Sequence, residues 1–271
     1  MSAGPVPSEM VPDLSRIRTE DDTPVDNLFS ECQQHLLVES LKSSWAGPGE
    51  GRPFLVAANV GVFSSVKKPP VVPDVFLSLD VAVDAQQMLR ELRSYFVWVF
   101  DKVPDLVIEI VSQTPGGEDT DKLRTYARMG IPYYAVFDPG HYLGDEELRL
   151  FGLNRKRYEC IEPGYLADVG VGLTVWEGPV RGDVCRWLRW TDANGQVIPT
   201  ADERANEERE RAERHRQRAE AEKQRAEAEK QRAEAEKLRA ESSEERSRQL
   251  EEKLSRYAAR LRDAGLSPNG E

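Results

Sequence analysis

At 271 residues and a net charge of −11, the chain is long enough for one sizeable core with residues to spare. The charge is uneven: residues 201–271 hold 19 acids and 18 bases, so the first 200 residues carry a net of −10. An acidic body argues against tight non-specific binding of nucleic acid, because phosphate contacts are made by Lys and Arg, but it leaves room for a small acidic metal site that cuts a phosphodiester.

Residues 1–24 hold four prolines, several acids and little periodicity, which predicts a disordered or loosely docked arm. From Val25, the residues Leu28, Phe29, Cys32, Leu36, Leu37 and Leu41 recur at helical spacing, predicting an amphipathic helix that ends before Gly47-Pro48-Gly49. Short strand-like runs follow at Phe54–Asn59, Val60–Ser64, Val75–Leu79, Tyr95–Phe100 and Leu106–Val111, punctuated by Pro and Gly. A second helix is signalled over Asp119–Met129, capped by Asp119 or Thr120 and stopped by Gly130. Tyr133–Phe137 reads as another strand, and further β segments run to Ile198, with a hairpin expected at Asp192-Ala193-Asn194-Gly195. This order predicts an α/β domain over residues 25–200 with a mixed central sheet flanked by helices.

From Ala201 the composition turns abruptly to Glu, Arg, Ala, Lys and Gln, with no Gly or Pro before Gly265. The unit Ala-Glu-Ala-Glu-Lys-Gln-Arg starts at Ala219 and repeats at Ala226 and, with Leu238 replacing Gln, at Ala233. Its alanines alternate at spacings of two and five, so they do not merge into one apolar seam. A straight, solvated helix over residues 201–264 is expected, followed by a disordered end at 265–271. Leu250, Leu254, Tyr257 and Leu261 do form a stripe, spaced four, three and four, through which two tails could form a homo-oligomer or the tail could fold back on the body; a solvated helix with a frayed end is the competing expectation.

No run approaches the ~18 apolar residues of a membrane span, and the first 25 residues lack the apolar core of a secretory signal. Three widely spaced cysteines, Cys32, Cys160 and Cys185, fit reduced thiols. A cytoplasmic protein with no membrane partner is expected. Cys32 and His35 sit at helical spacing, but no second Cys/His pair accompanies them, so no ligand role is assigned.

The chemistry concentrates in Val103-Pro-Asp-Leu-Val-Ile-Glu-Ile-Val-Ser. Glu109 stands inside an apolar strand, where a carboxylate is costly unless paired or bound to a cation. Asp74 lies in similar surroundings upstream, and Lys122 follows Glu109 by thirteen residues. Two carboxylates on neighbouring strands beside a lysine are what a Mg²⁺-dependent phosphodiesterase requires: the acids hold the ion through hard oxygens, and lysine positions or deprotonates water, or offsets developing charge. Asp105 also follows a proline and reads instead as a strand-entry residue. Trp187 and Trp190, beside Arg186 and Arg189, read as core aromatics in preference to base-stacking ones.

These residues carry a family likeness. Pro73-Asp74, then Pro104-Asp105-Leu-Val-Ile-Glu109-Ile-Val-Ser112, then Asp121-Lys122-Leu-Arg-Thr-Tyr126-Ala-Arg-Met-Gly130-Ile-Pro-Tyr-Tyr134-Ala-Val-Phe-Asp138-Pro139 resembles the bacterial "putative restriction endonuclease" family of the PD-(D/E)XK nuclease superfamily. The likeness extends from about Asp26 to about Val180 and implies a restriction-endonuclease-like core acting on DNA with Mg²⁺. It further implies Asp74 as the first metal-binding acid, Glu109 as the second and Lys122 as the catalytic lysine, because the usual lysine position, two residues after the second acid, is Val111 here. Glu31 is the candidate for an additional acid on the first helix. Three positions depart from the pattern: Tyr133 and Ala135 replace the family's frequent Glu and Trp, and Glu118 stands where an Asp is usual. A non-cleaving adaptor that assembles through its tail is the competing expectation.

Overall fold

The computed structural model describes residues 27–263 except 50, 91, 114, 115 and 181; the expected arm at 1–24 and the end at 265–271 lie outside these. Among the described residues no helix is long and apolar enough to cross a membrane. The chain falls into two units, with the boundary between Arg204 and Ala205.

In the first unit, α1 (Leu28–Ser44) starts at Asn27, whose side-chain oxygen accepts the Ser30 N–H at 2.8 Å, as an N-cap asparagine does. There follow β1 (Phe54–Ala58), β2 (Val62–Phe63), β3 (Val75–Leu79), α2 (Ala85–Arg90), β4 (Tyr95–Phe96), α3 (Val97–Phe100), β5 (Leu106–Ile110), α4 (Asp121–Met129) and β6 (Tyr133–Phe137). The unit continues through β7 (Leu148–Asn154), β8 (Arg157–Ile161), β9 (Tyr165–Leu166), β10 (Val171–Val180) and β11 (Asp183–Thr191). The central sheet has the order β1-β3-β5-β6-β7-β8. Within this sheet, among the described residues, only β5 and β6 run parallel, and α4 makes the crossover that parallel pairing demands. The sheet is therefore mixed, as the element order predicts.

Strand alternation divides the core between the two faces of this sheet. Val75, Leu77, Ile108, Ile110 and Phe137 join Leu37 and Leu41 of α1 in one cluster, while Phe76, Val107, Val111 and Tyr134 join Tyr126 of α4 in the other. Gln33 ties α1 to β11 by donating to the Leu188 carbonyl and accepting the Leu188 N–H, both at 2.9 Å. Trp187 and Trp190 are buried in the core, their indole N–H groups donated to the carbonyls of Gly178 and Leu37.

Two expected strands are shorter than their sequences suggest. Val60–Ser64 contributes only Val62–Phe63, and after Tyr95–Phe96 the chain makes a helical turn over Val97–Phe100. That turn swings Phe100 back onto the Tyr95 ring, with centroids 4.6 Å apart, so aromatic packing overrides the β preference of the run. At Asp192–Gly195 the chain makes a tight turn closed by Asp192 N–H to the Gln196 carbonyl, and pairing beyond it is limited to the Thr191–Val197 bridge.

The helix α5 (Ala201–Asp263) is 63 residues long and buries none of them, which at 1.5 Å per residue gives about 94 Å. Its start is a capping box: the Thr200 hydroxyl accepts the Glu203 N–H at 3.2 Å, and Glu203 accepts the Thr200 N–H at 2.8 Å. Glu203 also takes two bonds from the guanidinium of Arg189, a residue 1 % exposed, at 2.7 and 2.9 Å.

Candidate active site

The register of the central sheet brings the acids together. β3 and β5 pair antiparallel with Val75 opposite Ile108, and one step further along the register sets Asp74 beside Glu109. Glu109 alternates between Val107 and Val111 on the face covered by α4. On that helix Lys122 and Tyr126 stand four residues apart, one above the other, and each takes one oxygen of Glu109: the Tyr126 hydroxyl donates to Oε1 at 2.5 Å and Lys122 Nζ to Oε2 at 2.9 Å. A turn earlier, buried Glu118 accepts from Lys122 at 3.3 Å and from the Gly116 N–H. Gly130, in the left-handed region at φ 86°, closes α4 by donating its N–H to Tyr126 and Ala127 carbonyls.

Asp74 is held by neutral donors: Oδ2 accepts the Ile110 N–H at 2.7 Å and Oδ1 the Gln34 amide at 2.8 Å. Gln34, on α1, is itself fixed by exchanging bonds with Asn59, at 2.7 and 3.4 Å. On α1 it is Gln34 that bonds Asp74; Glu31, one turn earlier, is exposed. A signal for Gln34 exists in the sequence: Gln33 and Gln34 interrupt the apolar stripe that continues through Leu37 and Leu41.

The electrostatics are those of crowded acids. Glu109 is 1 % exposed; burial, then the Asp74 carboxylate, raises its pKa to about 8 against the opposing pull of Lys122 and Tyr126. Burial also raises Asp74, outweighing the Ile110 N–H and the Lys122 ammonium. For Lys122 burial acts to lower the pKa, but Glu109, with Glu118 and Asp74, prevails and lifts it to about 12. Lys122 is therefore an ammonium at neutral pH, able to orient water or offset negative charge and poorly suited to remove a proton.

Among the described residues there is no group of three or more His, Cys, Asp and Glu arranged around one point. Two carboxylates suit an ion that keeps most of its waters, which is the habit of Mg²⁺. Asp105 lies at the other end of β5 and is consumed by structure: its Oδ2 accepts the Leu79 N–H and Lys102 Nζ, both at 2.7 Å. An apolar cavity of about 180 Å³ beside Phe76 and Tyr95 and an open one of about 500 Å³ beside Asp105 and Asp168 are lined by residues other than Asp74, Glu109 and Lys122.

A mixed sheet flanked by helices, with acids from adjacent strands facing one helix of the crossover, defines a restriction-endonuclease-like α/β protein. The chain belongs to the Uma2 family, described as "Putative restriction endonuclease", whose profile matches residues 9–168. That span includes every strand of the central sheet and stops before β10, β11 and α5. No curated protein matches the chain.

Proposed function

We propose that this protein is a Mg²⁺-dependent DNA endonuclease of the cytoplasm, in which Asp74 and Glu109 hold the ion and Lys122 assists the attacking water. The observation that carries this reading is the crowding of two carboxyl groups around one ammonium: Glu109 shares Lys122 with Glu118, and Asp74 lies against Glu109 with an amide and a peptide N–H as its other donors. Burying surplus negative charge is costly, and a divalent cation is the natural counterweight. Such an ion, when bound, acidifies water and stabilises charge on the scissile phosphate. The chain's own part is to release the Glu109 proton, keep that carboxylate aimed through Tyr126, and hold the Lys122 ammonium where water and phosphate oxygens meet it.

Supercoiled, linear and single-stranded DNA incubated with Mg²⁺ and wild-type protein should be cut, and Glu109→Gln should cut none of them. Absence of wild-type cleavage across all three forms would sink the enzymatic reading. A second reading, a non-cleaving adaptor acting through its tail, is favoured by the exposed stripe Leu250, Leu254, Tyr257 and Leu261 of α5 and by the acidic body. Calorimetry separates them: Mg²⁺ binding abolished by Asp74→Ala supports a working site, and no binding by the wild type supports the adaptor.

A further inference from the structure

The long helix α5 changes character within one heptad, in three columns at once. Every seventh residue from Ala205 to Ala240 is alanine, and the same column then reads Ser247, Leu254, Leu261. Three positions on, a column that is Glu at 208, 222, 229 and 236 becomes Ser243, Leu250, Tyr257. One position beyond that, a column of Arg or Lys from 209 to 237 becomes Glu244 and Glu251, while the column just before the alanines stays basic from Arg211 to Arg260.

In a parallel two-stranded coiled coil these columns occupy positions a, d, e and g. Over Ala205–Ala240 such a pair would set glutamates of the two helices against each other across the seam and basic g residues against basic e residues. Beyond that point the d column turns from acidic to apolar and the e column from basic to acidic, while g stays basic. Leu250, Leu254, Tyr257 and Leu261 are 60, 67, 66 and 38 % exposed, and form a d-a-d-a seam. Each g residue meets the e residue five further on in its partner, so Arg239 faces Glu244 and Arg246 faces Glu251 of the second copy. An antiparallel arrangement would instead oppose Arg246 to Lys253 or its equivalents and glutamate to glutamate. The proximal segment neutralises its own charge along the helix, as in the Glu210–Arg214 pair, and needs no partner.

We propose that residues 243–261 pair with the same residues of a second copy as a parallel, in-register coiled coil, leaving 205–240 as a solvated strut. Two heptads make a weak seam, so the dimer forms in a concentration-dependent way. The proposal does not depend on the nuclease reading and is tested without DNA.

Sedimentation equilibrium of the full chain should move from 30.6 kDa toward twice that mass as concentration rises. Leu254→Glu should stay at the monomer mass while far-UV circular dichroism shows the helix intact. Arg246→Glu and Glu251→Arg should each weaken dimerisation about tenfold, and the two together should restore it, because the exchanged charges face each other again. Ser247→Cys, at an a position, should crosslink two chains under oxidation in higher yield than the wild type. A monomer at every concentration, a double variant no better than the singles, or a Ser247→Cys yield equal to the wild type overturns the proposal.

Discussion

The chain contains Pro-Asp twice in comparable places, Pro73-Asp74 entering β3 and Pro104-Asp105 entering β5, and the two aspartates end differently. Asp105 is matched by a cation three residues before it, Lys102, and by the Leu79 N–H. Asp74 accepts from an amide and a peptide N–H, lies against the Glu109 carboxyl, and feels only the Lys122 ammonium that Glu109 and Glu118 already share. Satisfaction by a local lysine makes an acid part of the scaffold; crowding against a second acid makes it a place where a cation is wanted. The single strand β5 carries both situations, Asp105 at its start and Glu109 near its end.

The largest expected effect tests this contrast directly. Asp74→Asn should lower cleavage about a thousandfold or more, the scale on which losing charge stabilisation acts. Asp105→Asn should do the reverse: cleavage within a few-fold of wild type, and stability lower by about 1–3 kcal/mol as Lys102 loses its partner. Equal losses of cleavage in the two variants, measured alongside urea unfolding, would erase the distinction.

A pH titration sharpens it. A carboxyl whose pKa rises from 4.5 to about 8 on folding binds more protons folded than unfolded between those values, so stability falls as pH rises through that window. The raised Asp74 acts in the same direction. Acids held low, such as Asp80 and Glu147, act oppositely, but below about pH 4.5. Metal-free protein should therefore lose stability from pH 5 to 8, by up to about 1.4 kcal/mol per pH unit for one full proton. Glu109→Gln should flatten the slope. Mg²⁺ affinity should climb over the same range, since the ion displaces that proton; a slope unchanged in Glu109→Gln would show that another group titrates.

The central sheet and the convergence of three polar side chains are legible in the sequence. Glu109 announced itself as a carboxylate between Ile108 and Ile110, and Asp74 and Lys122 followed from strand adjacency and the family pattern. What could not be read was contact across long separations. Tyr126 belongs to the same motif, yet its bond to Glu109 depends on α4 lying over that face of β5. Gln34 meets Asp74 only because α1 packs across β3, and the Arg189–Glu203 pair depends on β11 ending beside the capping box. The helical turn at Val97–Phe100 was hidden for a similar reason, since the apolar run suits a strand until Phe100 is required against Tyr95.

The smallest effect separates two adjacent glutamines of α1. Gln33 and Gln34 are both buried, but Gln33 serves the Leu188 backbone while Gln34 serves Asp74. Gln34→Ala removes the donor that aims Oδ1 and frees Asn59 to turn away, so Mg²⁺ affinity should fall about tenfold, the loss typical when a group supporting a metal ligand is deleted. Saturating Mg²⁺ should recover most of the cleavage rate, because Asp74 itself remains. Gln33→Ala leaves a buried peptide group unpaired and should lower stability by about 1–3 kcal/mol without moving the Mg²⁺ titration. If calorimetry gives both variants the same affinity, then Gln34 merely packs, and Asp74 is positioned by the Ile110 N–H alone.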